Sequence, residues 1–368
     1  MAQFDTLPDG YRELREHLAW ADAGRRSIVL VTGEDAVRFV DGFCTAALSK
    51  LAVGEGTEAF FPDARGQVLL WGTVFRGPDG VWIDADPTVS ADGAENAWSL
   101  APHLERYHIR ERLQISDRSD RFAGLYLAGP AAAAWMEGGA GSLAPGGAIP
   151  DGASDRVSHS RPRLSEPFGP LADIACGILP HQCAGIPAVV LRGDWLGPGT
   201  FLVVVTREDR WRLVERWHSE GLVEASAEAI DAVRREEGRP AAIDVPPRAL
   251  PQEFGREDRA ISFAKGCYLG QETVARIDAL GHVNRRFVAL FAAAEVPAGP
   301  GVVTVRGSGE VVGTITSSGP SPLLGGWLGL GLVRTSALAE GIDLEVGEVA
   351  MRRVSLPPRR DRGEPSNE

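Results

Sequence analysis

The stretch "ISFAKGCYLGQETVARI", residues 261–277, decides how this chain is read. The whole sequence holds four cysteines and two lysines, and one of each falls in the central octapeptide "KGCYLGQE" (265–272). Gly266 and Gly270 bracket Cys267 and Tyr268, and glycine permits backbone angles and close approaches closed to other residues. Lys265, two residues before the cysteine, would favour the thiolate, the reactive and metal-binding form. A lone cysteine in a turn before a helix is more often a small buried apolar residue. The Lys, Gly, Gln and Glu around it make Cys267 a candidate functional thiol.

Downstream, from Asn284, the chain changes to short strands and turns: "RRFVALFAA", "GVVTVRG", "EVVGTITSSG", "WLGLGLVR", "IDLEV" and "VAMRRVSL". Strands this short and evenly spaced predict a small barrel or sandwich over 284–356, followed by a polar, disordered tail at 357–368. "RGSGEVVG" lies among these strands, lacks the P-loop lysine and a following helix, and reads as a hairpin turn.

Upstream, "DAVRREEGRP" (231–240) is a charged helix end stopped by Gly238 and Pro240. As a site, Glu236 could accept two hydrogen bonds from an amino-pyrimidine edge, with Arg234 beside it. Residues 11–25 read as a helix, "RRSIVLVTG" as a buried strand and "EDAVRFVDGFCTAAL" as an amphipathic helix. "EAFFPDARGQVLLWGTVFRGPDGVWIDA" is a meander of antiparallel strands with turns at "PDARG" and "GPDG". A helix at about 95–107 and a strand follow. The order of strand, turn, strand and helix then returns in "PAVVLRG", "TFLVVVT" and "EDRWRLVERWHSEGL", which predicts two related α+β halves within 1–283. Residues 137–170, rich in Gly and Pro, read as a flexible loop.

Composition bounds the function. The net charge of −12 excludes broad capture of a nucleic-acid backbone. No apolar run approaches the roughly 20 residues of a membrane span, and the first residues show no leader pattern, so a cytoplasmic location is expected. The cysteines are too few for a disulfide scaffold. Cys176 and Cys183, around His181, do not have a standard ligand spacing, and no stably bound metal is expected.

The octapeptide resembles the signature of the YgfZ-type folate-binding proteins, relatives of mitochondrial factors that mature four-iron clusters. These share a fold with the glycine cleavage T-protein, an aminomethyltransferase. "EEGRPAAIDVPPRALPQEFG", "GHVNRRFVAL" and "GTITSSGPSPLLGGWLGLGLVR" resemble further family segments in the expected order. The resemblance implies two pseudo-symmetric α+β units around a central folate pocket, with a C-terminal barrel beside them. It implies tetrahydrofolate or a derivative as ligand, with Glu236 reading the pterin. It makes Cys267 the functional thiol, with Lys265, Gly266, Tyr268, Gly270, Gln271 and Glu272 as its companions. Iron-sulfur enzymes or their assembly proteins are the implied partners.

Two departures bear on the reaction. The transferase relatives carry an aspartate at the position that Trp71 holds here, counting from Gly66, and tryptophan cannot act as a carboxylate. A Thr-Asn-Asp-like run is replaced by Thr45-Ala46-Ala47. The leading expectation is a folate-binding accessory protein in iron-sulfur cluster assembly or repair. The alternatives are a tetrahydrofolate-dependent aminomethyl or methyl transferase, with Asp63 or Asp84 standing in for the missing carboxylate, and a non-catalytic relative that has lost the ligand.

Overall fold

The computed structural model describes residues 7–87, 99–138, 144–145, 177–183, 185–296, 299–355 and 357. The segment read as a flexible loop and the polar tail lie almost wholly outside the described residues, as does Cys176. The chain opens with α1 (Tyr11–Glu16) and β1 (Ala19–Asp22). A first unit follows: β2 (Ser27–Thr32), α2 (Ala36–Asp41), β3 (Gly56–Pro62), β4 (Val68–Gly77), β5 (Gly80–Ala85), α3 (Leu100–Glu105) and β6 (Gln114–Asp117). A second runs through β7 (Phe122–Ala128), α4 (Ala132–Gly138), β8 (Ala144–Pro145), β9 (Gly177–Cys183), β10 (Ile186–Gly193), β11 (Thr200–Thr206), α5 (Arg210–Ser219) and β12 (Val223–Glu224).

The sheets show how the halves correspond. The first is ordered β3-β4-β5-β2-β6 and the second β12-β1-β7-β11-β10-β9-β8. Reversed, and apart from the edge strand β8, the second reads β9-β10-β11-β7-β12, matching the order of the first, with β1 slotted between β7 and β12. The two halves are therefore one α+β motif used twice, with β1 crossing from the start of the chain into the second sheet. This also corrects the helix expected over 11–25, which ends at Glu16 before β1 begins.

Alternation along the strands builds the layers. Ile28 and Leu30 face Tyr126, Leu191 and Leu202 of the other sheet in one core, while Val29 and Val31 face Phe39 and Leu104 of α2 and α3 in another. Leu125 and Val203 of the second sheet pack on Met136 and Trp217 of α4 and α5. The result is helix, sheet, sheet, helix, with the two sheets face to face.

After α6 (Ala227–Glu236), α7 (Glu257–Ala260) and α8 (Gln271–Leu280), six strands close a barrel in the order β13-β16-β15-β14-β17-β18. They are β13 (Arg285–Ala292), β14 (Gly301–Val305), β15 (Val311–Ser321), β16 (Gly326–Arg334), β17 (Leu344–Val346) and β18 (Val349–Val354). All six match the predicted segments. The barrel is joined to the first unit by a shared apolar cluster of Phe60, Trp71, Phe254, Phe287 and Leu330.

Candidate functional site

The octapeptide forms an exposed turn held at its base. The side chain of Lys265 is 2% exposed, and its ammonium donates to the carbonyl oxygens of Asp41, Cys44 and Ala46 at 2.5–2.8 Å. An ammonium has three N–H donors, so this loop engages all of them. The backbone adds Leu269 N–H to Gly42 O at 2.9 Å and Ser262 N–H to Thr45 O at 2.8 Å. On the other side Gly270 lies at φ 80°, where a Cβ would stand 2.4 Å from the Asp63 carbonyl oxygen. Facing it, Gly66 has φ 78° and no room for a Cβ against Thr273. Gln271 Oε1 accepts from Tyr268 N–H at 3.3 Å, closing the turn. Between these clamps Cys267 stands exposed.

This geometry alters the parts assigned from sequence. Lys265 is directed at loop 41–46 and anchors the turn, so its charge is not held for Cys267. Tyr268 is half-buried, its hydroxyl pushed up to about 12 by burial and by Cys44. Gln271 is a turn-closing residue and Glu272 lies exposed in the first turn of α8. Cys44 is fully buried, and burial pushes its thiol up to about 11; Cys183, also buried, reaches about 12. Both are poor nucleophiles beside the exposed Cys267. Ala46, the departure near the expected pocket, is buried in the apolar core beneath α2.

Glu236, the residue expected to read the pterin, lies among protein donors. It is wholly buried, and Oε2 accepts from Tyr11 O–H at 2.7 Å and Arg15 Nη2 at 2.8 Å, while Oε1 accepts from Ser321 Oγ at 2.7 Å and Leu323 N–H at 2.9 Å. A carboxylate offers about four lone-pair positions, and all four are filled. Burial and this neighbouring carboxylate push the Tyr11 hydroxyl above its ordinary range. Glu236 thus ties α1, α6 and the barrel together, with its acceptor positions taken by these protein groups. Arg234 is engaged likewise, with Asp231, Asp244 Oδ2 and the Arg239 carbonyl. None of the four groups bonded to Glu236 belongs to the Cys267 turn.

A cleft of about 450 Å³ opens where the second unit, the segment after α6 and the barrel meet. Glu237, next to the predicted residue, lines it with Phe254 and Phe287. Arg15 Nη1 donates to one Glu237 oxygen, and the other carries no hydrogen bond among the described residues. Sequence reasoning missed Glu237 because the helix end fixes which of two adjacent glutamates turns inward.

Behind the cleft Trp71 is buried, with the Arg239 guanidinium 4.5 Å from its ring and that of Arg256 at 5.2 Å. Arg256 grips Glu58 with two bonds of 2.5 Å, and Arg239 lies 3.5 Å from the same carboxylate. Burial would raise Glu58, but Arg256, Arg239 and Arg259 hold it below the ordinary carboxylate range. The stand-ins for the missing aspartate are engaged elsewhere. Asp84 is wholly buried and paired with Arg26 through 3.0 and 2.6 Å bonds. Asp63 accepts from Arg65 N–H and Gln67 N–H in the β3–β4 turn.

The cleft offers what a folate would need: Glu237, with one oxygen open, would be the acceptor for an amino-pyrimidine edge, and Phe254 and Phe287 would wall its rings.

Two pseudo-symmetric α+β units with a six-stranded barrel define a class, the glycine cleavage T-protein fold. The aminomethyltransferase T of the glycine cleavage system from Bartonella henselae superposes with a TM-score of 0.75 at 19% identity, covering 95% of this chain and 89% of that one. The sequence matches the GCVT N-terminal domain over residues 2–143 and the glycine cleavage T-protein C-terminal barrel domain over 285–358. The chain thus carries GCVT-like N-terminal and barrel domains. It is 24% identical to the aminomethyltransferase of Thermus thermophilus over 344 residues, 91% of this chain and 85% of that protein. It is 25% identical to a mitochondrial iron-sulfur cluster assembly factor IBA57 homolog of Neosartorya fischeri over 308 residues, 76% of this chain and 59% of that protein.

Proposed function

We propose that this chain is a folate-binding accessory protein for the assembly or repair of iron-sulfur clusters, acting through the thiol of Cys267. The observation that carries this reading is an exposed cysteine on a turn otherwise locked on both flanks. A rigid base keeps the thiol presented to a partner, whereas the other described cysteines are buried. A single thiol supplies one of the usual four ligands of a cluster, so an iron-sulfur species bound there is shared with the partner that delivers or receives it. The likeness to an iron-sulfur assembly factor homolog supports the same reading. A tetrahydrofolate would lie in the cleft with Glu237 as its acceptor.

Aminomethyl transfer is the second reading, favoured by likeness to aminomethyltransferases over most of the chain. It needs a carboxylate where Trp71 lies, and Glu58, Asp63 and Asp84 are each held by other groups. Formation of methylene-tetrahydrofolate from an aminomethyl donor by the purified protein would restore it.

Two measurements test the proposal. Cys267→Ala leaves the fold intact and abolishes the support of iron-sulfur enzyme activity in cells that depend on this protein; full activity in that variant sinks the thiol role. Calorimetric titration with tetrahydrofolate under anaerobic conditions gives binding that falls about tenfold or more in Glu237→Gln. Equal affinity in the two proteins removes the folate from this site.

A further inference from the structure

We infer that the cleft is an anion site whose ligand brings at least two negative charges, either carboxylates or phosphate. The inference goes beyond the folate reading and stands on the charges of the cleft itself. Five arginines line it: Arg239, Arg256, Arg259, Arg286 and Arg353. Three of them have internal partners. Arg256 and Arg239 share Glu58, and Arg259 bonds Asp194 at 2.7 Å. The side chains of Arg286, half-buried on β13, and Arg353, exposed on β18, have no ion pair or hydrogen-bond partner among the described residues. The remaining lining carboxylate, Glu237, is held by Arg15 from outside the cleft.

Two guanidinium charges are thus left without a partner inside one concave wall, on a chain whose net charge is −12. The chain has 50 acidic and 38 basic residues, yet the lining of this cleft carries five arginines against two carboxylates, Asp194 and Glu237. The inner wall repeats the theme. Arg239 is 7% exposed, and burial lowers it below the ordinary arginine range, with Glu58 opposing and Arg256 adding to the effect. Both guanidiniums lie over the Trp71 ring, at 4.5 and 5.2 Å, and the Arg256 fork already binds one carboxylate, Glu58, through two bonds. A cationic substrate amine is repelled by the same wall. The charge of the cleft is therefore the reverse of what an aminomethyl donor requires.

The test uses the full chain and ring-free probes. Calorimetry with sodium pyrophosphate and with citrate gives binding to the wild type that weakens as ionic strength rises. Affinity for both falls about tenfold or more in the double variant Arg286→Gln/Arg353→Gln. The preferred probe identifies the anion as phosphate or carboxylate. Arg353→Gln alone changes an exposed side chain, keeps the fold, and weakens binding in the same direction. Failure of both probes to bind, or unchanged affinity in Arg353→Gln and the double variant, overturns the inference. Glu237→Gln separates the two readings: it retains or strengthens pyrophosphate binding while weakening tetrahydrofolate. Pyrophosphate bound with no response to tetrahydrofolate ends the folate reading alone, and the opposite pair of results ends this one alone.

Discussion

Replacing Lys265 by Met separates anchoring from chemistry in the octapeptide. Met keeps most of the alkyl stem and removes the ammonium. Three hydrogen bonds to carbonyl oxygens are lost. Bonds to a charged donor contribute about 1.5–3 kcal/mol each, and the burial of an ammonium at 2% exposure offsets several kcal/mol of that sum. The net loss is about 2–4 kcal/mol, since water cannot readily reach the Cys44 and Ala46 carbonyls, whose residues are buried. Urea unfolding followed by tryptophan fluorescence measures it, with Cys267→Ala as the control, within about 0.5 kcal/mol of wild type. Lys265→Arg does not rescue, because a flat fork cannot point at three converging carbonyls. A Lys265→Met protein as stable as wild type would refute the anchoring role.

Further outcomes follow from the two buried carboxylates. Glu236→Gln turns an amide N–H₂ toward two donors and costs about 2–4 kcal/mol by the same unfolding measurement; a neutral effect would mean that the four bonds are replaced by water. Glu58 is held below its ordinary 4.5 because its arginine partners outweigh burial. A carboxylate depressed in the folded state stabilises above its unfolded value, and the stabilisation is lost as pH falls through the folded value. Wild-type stability therefore falls below about pH 4.5 more steeply than that of Glu58→Gln, as unfolding midpoints across that range will read, and parallel profiles would count against the cluster as described.

The barrel was legible because each of its strands is short, apolar and bounded by its own turn, so local pattern suffices. The doubled α+β order was legible for the same reason. What escaped was set by distant partners. Ala19–Asp22 is a strand only because it pairs with β7 and β12, roughly 100 and 200 residues away, and four residues carry too little alternation to show it. The site was half legible. The candidate thiol of Cys267, the Gly266 and Gly270 frame and the substitution at Trp71 stand in the sequence, whereas the exposure of that thiol is seen only in the fold. That Lys265 would face three carbonyls, and that Glu236 would meet Tyr11, Arg15, Ser321 and Leu323 while Glu237 faced the cleft, depends on packing between elements that no local motif encodes.

The Glu236 node has a consequence for biosynthesis. Its donors come from Tyr11 near one end of the chain and Leu323 near the other, so during vectorial synthesis at about 5–20 residues per second roughly 300 residues separate the emergence of the first donor from the last. For about 15–60 seconds the amino-terminal helix waits on the ribosome without its final clasp. The node is therefore closed late: a nascent chain that has not yet exposed Ser321 and Leu323 leaves the Glu236 carboxylate with two of its four donors.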